Sequence, residues 1–254
     1  MESNPQPLIS IITPAYNAAE YIRFTIESVL AQTWQNWEMV IADDCSKDRT
    51  QDIVLEYAAK DPRIRYVRHE VNGGPAKTRN TALLNAKGRF VAFLDSDDLW
   101  LPQKLEHQIQ FMLAKKAGMS YTLYRRFRTG DPEPGRLIVL PEVFYYETLL
   151  KNTGIAGCST VMLDKEITGD ILFPLVRPED FALWLSILKR NIPAYGLMED
   201  LVRYRVSLTS VSGNKLRSAK WTWNVYRNVE KLSLPYAIWC FLNYSTRAFI
   251  RYWL

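Results

Sequence analysis

The chain has 254 residues, 48% hydrophobic and 23% charged, which suits one large α/β domain or two small ones and not a disordered, low-complexity or solenoid protein. Its three cysteines, Cys45, Cys158 and Cys240, are widely spaced with no CxxC pair, so they read as reduced buried thiols, not a disulfide framework or zinc site. The formal charge of +5 is uneven: from Leu201 onward nine Lys and Arg stand against Glu230 alone, giving +8, and the remainder carries −3.

Residues Met1 to Pro7 lack the basic start and apolar region of a signal peptide. No stretch reaches the roughly 18 uninterrupted apolar residues of a membrane span. Leu232 to Ile250 comes nearest and is broken by Pro235, Asn243 and Arg247. A cytoplasmic protein is expected. Its basic tail suggests an anionic partner, and with no nucleic-acid motif beside it that partner is membrane lipid, not nucleic acid.

In chain order, Leu8–Thr13 reads as a buried strand and Ala18–Gln32 as an amphipathic helix with Ile22, Ile26, Val29 and Leu30 on one face. Trp37–Ala42 is a second strand ending in Asp43-Asp44. Ser46 then caps a helix with Asp48 in its first turn, running to about Lys60. Ile64–Arg68 is a third strand. Pro75 suits the first position of the next helix, which continues to about Ala86. Arg89–Leu94 is a fourth strand, ending in Asp95-Ser96-Asp97-Asp98, followed by a helix over Leu101–Lys116. Strands separated by helices predict βαβ units and a mostly parallel sheet.

Beyond this point the pattern is mixed. Met119–Phe127 and Arg136–Leu140 read as strands joined by a turn at Gly130 to Gly135, and Cys158–Leu163 as another strand. A helix follows near Phe181–Arg190, then a strand near Leu201–Val206, then a helical remainder broken at Pro235. No Gly/Ser/Pro-rich linker interrupts the chain. One domain over 1–219 is expected, with an amphipathic helical tail at 220–254.

Ligands of parallel α/β sheets bind beyond the carboxyl ends of the strands. Three of the four early strands end in Thr13-Pro14-Ala15-Tyr16-Asn17, Asp43-Asp44-Cys45-Ser46 and Asp95-Ser96-Asp97-Asp98. Carboxylates as dense as Asp95 and Asp97 repel one another unless a cation offsets them. Mg²⁺ and Mn²⁺ suit such pairs, since these ions take one or two carboxylates plus substrate phosphates. The plainer alternative is an acidic turn in which Asp98 caps the next helix. Asp43-Asp44 suits either recognition of a uracil N–H or ribose hydroxyl, or capping of the following helix. Asn72 to Asn80 places a glycine turn, Gly73-Gly74, with Lys77 and Arg79 at a helix start, which suits a diphosphate or is simply a solvated basic first turn. His69, close to this turn, has either a ligand contact or a packing role. No GxGxxG follows the first strand and no GxxxxGK[ST] occurs, which speaks against dinucleotide oxidoreductases and P-loop NTPases. Two histidines, His69 and His107, give His-centred hydrolase triads little support.

With Gln32-Thr33, Trp37-Glu38, Asp43-Asp44-x-Ser46-x-Asp48-x-Thr50, Asn72-Gly73-Gly74 and Arg79-Asn80, these motifs resemble the family-2 glycosyltransferases over about residues 8–105. The likeness continues more loosely through Gly157-Cys158-Ser159-Thr160, Pro178-Glu179-Asp180-Phe181-Ala182-Leu183-Trp184 and Tyr204-Arg205, as in bacterial transferases that build lipopolysaccharide, O-antigen or capsule sugars. The resemblance implies a glycosyltransferase-A fold for a catalytic domain over 1–219: a Rossmann-like α/β/α sandwich with a nucleotide-binding half at about 8–105 and an acceptor half at about 106–219. It implies an inverting, metal-dependent hexosyl or N-acetylhexosaminyl transfer from a nucleoside-diphosphate sugar, most often a UDP-sugar, to a glycan or lipid-linked oligosaccharide. Carried over by motif, Pro14, Tyr16 and Asp44 surround the uridine with Asp43 adjacent. Asn17, Gly74 and Ser96 complete the nucleotide contacts, and Arg79 meets the diphosphate or nucleotide. Asp95 faces ribose or metal, Asp97 coordinates Mn²⁺ or Mg²⁺, and Asp180 is the catalytic base with Glu179 beside it. The competing classes are a nucleotidyltransferase acting on sugar phosphates and a non-catalytic sugar-nucleotide-binding protein. The first lacks its usual Gly-rich basic loop after the first strand, and the second leaves Glu179-Asp180 without a purpose. The tail, with Ile238, Phe241, Leu242, Phe249, Tyr252 and Trp253 on one side and Asn243, Arg247 and Arg251 on a stripe, is expected to lie peripherally on the inner face of the cytoplasmic membrane or to pack on the catalytic domain.

Overall fold

The computed structural model describes residues 6–128, 135–152, 155, 157–206 and 215–253, with side chains in the last stretch described for 217–247. Four strands, β1 (Ile9–Ala15), β2 (Trp37–Asp43), β3 (Ile64–Arg68) and β4 (Phe90–Phe93), pair in parallel in the order β3-β2-β1-β4. Helices α1 (Ile22–Leu30), α2 (Thr50–Ala58) and α3 (Pro75–Leu84) make the crossovers. The sheet continues through β9 (Val161–Asp164), β6 (Met119–Phe127), β10 (Ala194–Arg205) and β5 (Leu99–Trp100). β10 runs parallel to β6, whereas β9 is antiparallel to both its neighbours and closes the seam between the halves. Short strands β7 (Leu137–Ile138) and β8 (Val143–Phe144) add antiparallel pairs to β6 and β10. The expected α/β/α sandwich with a mostly parallel sheet is the fold observed.

Period-two alternation divides the core. Ile9, Ile11, Met39 and Ile41 face one side, packed by α1, α2 and α4 (Lys104–Lys115), while Ile12, Val40, Val91 and Phe93 face the other, packed by α3 and α7 (Glu179–Leu188). Central strands buried on both faces explain the largely apolar β1 and the wholly apolar β4. Val225 and Tyr226, in a π-helical turn after α8 (Lys215–Asn224), and Ala237 and Cys240 of α9 (Leu234–Trp253) join the second core, so one face of the tail packs on the catalytic body.

Several boundaries differ from expectation, for physical reasons. Cys45 takes a left-handed φ of 65°, so the helix after β2 starts at Thr50, where Asp48 accepts the Thr50 N–H, and Ser46 is not its cap. Leu99–Trp100 pairs with β10, which delays α4 to Lys104 and removes Asp98 from any capping position. β10 begins at Ala194, not Leu201, because register shifts near Leu197, Asp200 and Val202 disrupt its alternation. Cys158–Thr160 is a 3-10 turn before β9 and not strand. The short α5 (Tyr146–Leu150) and α6 (Lys165–Thr168) were too brief for any periodic signal. The tail's break falls before Leu234, and Pro235 sits in the first turn of α9. Most of the expected turn from Gly130 to Gly135, and the side chains of Phe249, Arg251, Tyr252 and Trp253, lie outside the described residues.

Candidate active site

The ends of β1 and β2 are knitted together by Asn17 and Ser46. The Asn17 N–H donates to Ser46 Oγ at 2.9 Å, and Asn17 Oδ1 accepts the Lys47 N–H at 2.8 Å. Tyr16, after Pro14, stands 52% exposed over this junction, where its ring is available to a ligand. Asp43 is buried and accepts from the Ser46 N–H (2.9 Å), the Ser46 hydroxyl (2.6 Å) and the Tyr66 hydroxyl (2.6 Å). Burial and this bond to Asp43 push the Tyr66 phenol up.

Asp44 is held as firmly. Its carboxylate accepts the Gly73 N–H (2.7 Å), the Gly74 N–H (2.8 Å) and His69 Nδ1 (2.9 Å). Burial works to raise its pKa, but these donors outweigh burial and hold it below the usual carboxylate range. His69 Nε2 meets the Thr81 hydroxyl at 2.7 Å, so the imidazole is a strut between β2 and α3. Gly74, with φ 80°, makes the left-handed turn into Pro75 at the start of α3. The two glycine N–H groups therefore serve Asp44, and Lys77 remains exposed beside them. An open depression lined by Cys45, Lys47, Arg68, His69 and Glu70 adjoins this corner.

Arg79 lies beneath. It is 7% exposed, with one guanidinium N–H donating to Asp95 Oδ1 at 2.6 Å and another to Glu179 Oε1 at 2.8 Å, its face 5.4 Å from the Phe173 ring. This single side chain joins the acidic run after β4 to the acid pair that opens α7. Arg177 adds a second cation to Glu179 at 3.2 Å. Ser96 lies half-buried on the loop between the two acids, its carbonyl taken by Thr25.

Asp97 and Asp180 are less well served. Burial, then the charge of Asp95, raise Asp97 to about 6. Burial, then the charge of Glu179, raise Asp180 to about 6, although its Oδ1 accepts the Phe181 N–H at 2.7 Å. Asp98 is buried and raised well above the usual range, first by burial and then by Asp97 and Asp95. Burial pushes the Cys158 thiol up, with the Arg79 charge working against it. Sequence reasoning identified every acid here but not the two-sided role of Arg79, nor Tyr66, Ser159 and Arg205 as supports. Arg205 and Ser159 lay in the looser motif matches, while Tyr66 left no signal in a short strand.

Among the described residues no three His, Cys, Asp or Glu side chains form a ready metal cage. Asp95 and Asp97 are two carboxylates on one loop, a donor set that matches ions completing their shell with substrate phosphates and water. Among the described residues no helix is long and apolar enough to cross a membrane.

A parallel sheet with acids converging at its strand ends, continued across an antiparallel seam into a second half, defines the glycosyltransferase-A class. The fold of the Staphylococcus aureus protein TarS in complex with UDP-GlcNAc superposes with a TM-score of 0.69 at 21% identity, covering 96% of this chain and 73% of that one. The mannosyltransferase PcManGT of Pyrobaculum calidifontis, in complex with GDP-Man and Mn²⁺, gives 0.70 at 18% identity over 98% and 76%. Residues 10–172 match the family described as Glycosyl transferase family 2, and the chain belongs to that family. It is 47% identical to the putative teichuronic acid biosynthesis glycosyltransferase TuaG of Bacillus subtilis, covering 97% of this chain and 98% of that one. It is 43% identical to the UDP-Glc:alpha-D-GlcNAc-diphosphoundecaprenol beta-1,3-glucosyltransferase WfgD of Escherichia coli, over 93% and 92%. The chain is a glycosyltransferase.

Proposed function

We propose that the chain transfers a hexosyl or N-acetylhexosaminyl unit from a UDP-sugar to a hydroxyl of a lipid-linked glycan, inverting the anomeric centre, during assembly of a cell-surface polysaccharide. The observation that carries this reading is the buried Arg79, which ion-pairs with both Asp95 of the donor side and Glu179 of the acceptor side. The names of the TuaG and WfgD relatives support the polymer, donor and acceptor classes.

Asp97 with Asp95 would hold Mn²⁺ or Mg²⁺, which when bound would supply charge stabilisation for a departing diphosphate. Tyr16, Asp44 and the β1–β2 junction receive the nucleotide. Asp180 is the base that takes the acceptor hydroxyl proton. Its pKa near 6 leaves it ionised at neutral pH yet basic enough to accept that proton. Glu179 is committed to Arg79 and Arg177, so it orients its neighbour and is not itself the base. The tail adds a membrane-facing surface: Leu234, Ile238, Trp239 and Leu242 are exposed on α9, opposite buried Ala237 and Cys240. This stripe lies in the strongly basic part of the chain, a pairing that suits an anionic lipid surface.

A thermal-shift panel of UDP-, GDP-, dTDP- and CMP-sugars, with and without Mn²⁺, tests the donor. UDP-sugars with metal should stabilise most, since stabilisation grows with the logarithm of ligand saturation. Equal response to all four nucleotides would end the donor assignment. Flotation with anionic liposomes tests the tail, and equal behaviour of full-length and tail-truncated protein would remove the membrane surface.

A further inference from the structure

Asp98 closes the acidic run but is built differently from Asp95 and Asp97. It is 1% exposed and both its oxygens are occupied: Oδ2 accepts the Ser159 hydroxyl at 2.5 Å and Oδ1 accepts the Arg205 N–H at 2.8 Å. Ser159 Oγ in turn accepts the Asp95 N–H at 3.0 Å. Arg205 Nε donates to the Asp97 carbonyl at 2.7 Å, and its guanidinium lies between the rings of Tyr21 and Phe127, 4.4 Å from each centroid. From the other side the Thr25 hydroxyl reaches the carbonyls of Ser96 and Asp98, both at 3.0 Å. The Trp100 indole N–H fixes the Ser159 carbonyl at 2.8 Å. Every backbone segment between Asp95 and Asp98 is thus held from outside the loop, and the central pins, Ser159 and Arg205, come from the acceptor half.

We propose that Asp98 is a positioning residue and not a metal ligand: through Ser159 and Arg205 it clamps the Asp95–Asp97 loop to β10 and the 158–160 turn. The clamp makes the affinity for the donor and its metal depend on contacts in the acceptor half. This rests on the reading of Asp95 and Asp97 as the metal and donor acids. A carboxylate with both oxygens spent on protein donors has little left for a cation, whereas an anchored loop presents its neighbours at fixed spacing.

The experiment is calorimetric titration of UDP in the presence of Mn²⁺, alongside steady-state kinetics. Asp98→Ala and Ser159→Ala each remove two of these hydrogen bonds, and each should weaken UDP–Mn²⁺ affinity and raise the donor KM about tenfold, the scale of one to two hydrogen bonds, while kcat at saturating donor is largely kept. Asp98→Asn can still accept from Arg205 and donate to Ser159, so it should recover most of what Asp98→Ala loses. If Asp98→Asn loses metal-dependent binding as fully as Asp98→Ala, Asp98 is a ligand and the clamp is wrong. Native affinity in both Asp98→Ala and Ser159→Ala would also overturn it. Should Asp98→Ala not fold, Ser159→Ala and Asp98→Asn decide by the same readings. If the native protein itself shows no Mn²⁺-dependent UDP binding, the underlying donor reading falls, and the clamp with it.

Discussion

The acids after β2 and the acids around Arg79 have the same chemistry and opposite surroundings. Asp43 and Asp44 each accept three hydrogen bonds from the protein, and Asp44 is held below the ordinary carboxylate range. Asp97 and Asp180 face burial and neighbouring negative charge with few donors, and both are raised to about 6. A carboxylate supplied with donors by the fold builds the site. One left without them is poised for a cation or a proton.

The largest effect expected is from Asp97→Ala. If its charge awaits a cation, removal should abolish Mn²⁺-dependent donor binding and lower transfer by about 10³-fold, in line with several kcal/mol of charge stabilisation, while the circular dichroism spectrum stays native. Full metal-dependent transfer by this variant would erase the contrast with Asp43. Next comes Asp180→Asn, which keeps the shape and removes the proton acceptor. Transfer should fall by about 10²-fold or more with donor affinity little changed. Near-normal transfer here, with an inactive Glu179→Gln, would move the base one residue back.

The pH dependence sharpens the same comparison. For Asp180 as base, transfer should decline as pH falls through about 6. Stability moves the other way. Asp97 and Asp180 are raised above unfolded values near 3.9, so between about 4 and 6 the folded apoenzyme binds more protons than the unfolded chain, and stability rises as pH falls across that window. Asp180→Asn should therefore raise the apoenzyme's Tm at pH 8, by about 2–4 °C for each kcal/mol recovered. A lower Tm would show that the ionised carboxylate is stabilising. The smallest functional effect belongs to Tyr66→Phe, which removes one donor from Asp43. It should cost about 1.5–3 kcal/mol in urea unfolding with transfer nearly unaltered. Loss of donor binding instead would place Asp43 among the ligand-facing acids.

The strand–helix order, the parallel pairing of β1 to β4 and the acidic strand ends were legible because buried apolar runs and cap residues encode them locally. Pro75 at the start of α3 was legible for the same reason. The left-handed Cys45 turn was not, since nothing in Asp43-Asp44-Cys45-Ser46 distinguishes it from an ordinary cap. β5 and β8, two residues each, fall below the length at which alternation is visible, and the bulges in β10 scramble its period. Within the site, the residue types were legible and their partners were not. Arg79 suited a diphosphate in sequence because its carboxylate neighbours, Asp95 and Glu179, reach it only through the tertiary fold.

The most direct test of the account is proton NMR of the reaction itself, with a UDP-sugar, Mn²⁺ and a lipid-linked glycan acceptor. Transfer should release free UDP and join the sugar to the acceptor with the anomeric configuration opposite to that of the donor. Retention of the donor's configuration would rule out a single displacement assisted by Asp180, and release of pyrophosphate in place of UDP would contradict glycosyl transfer from the nucleotide sugar.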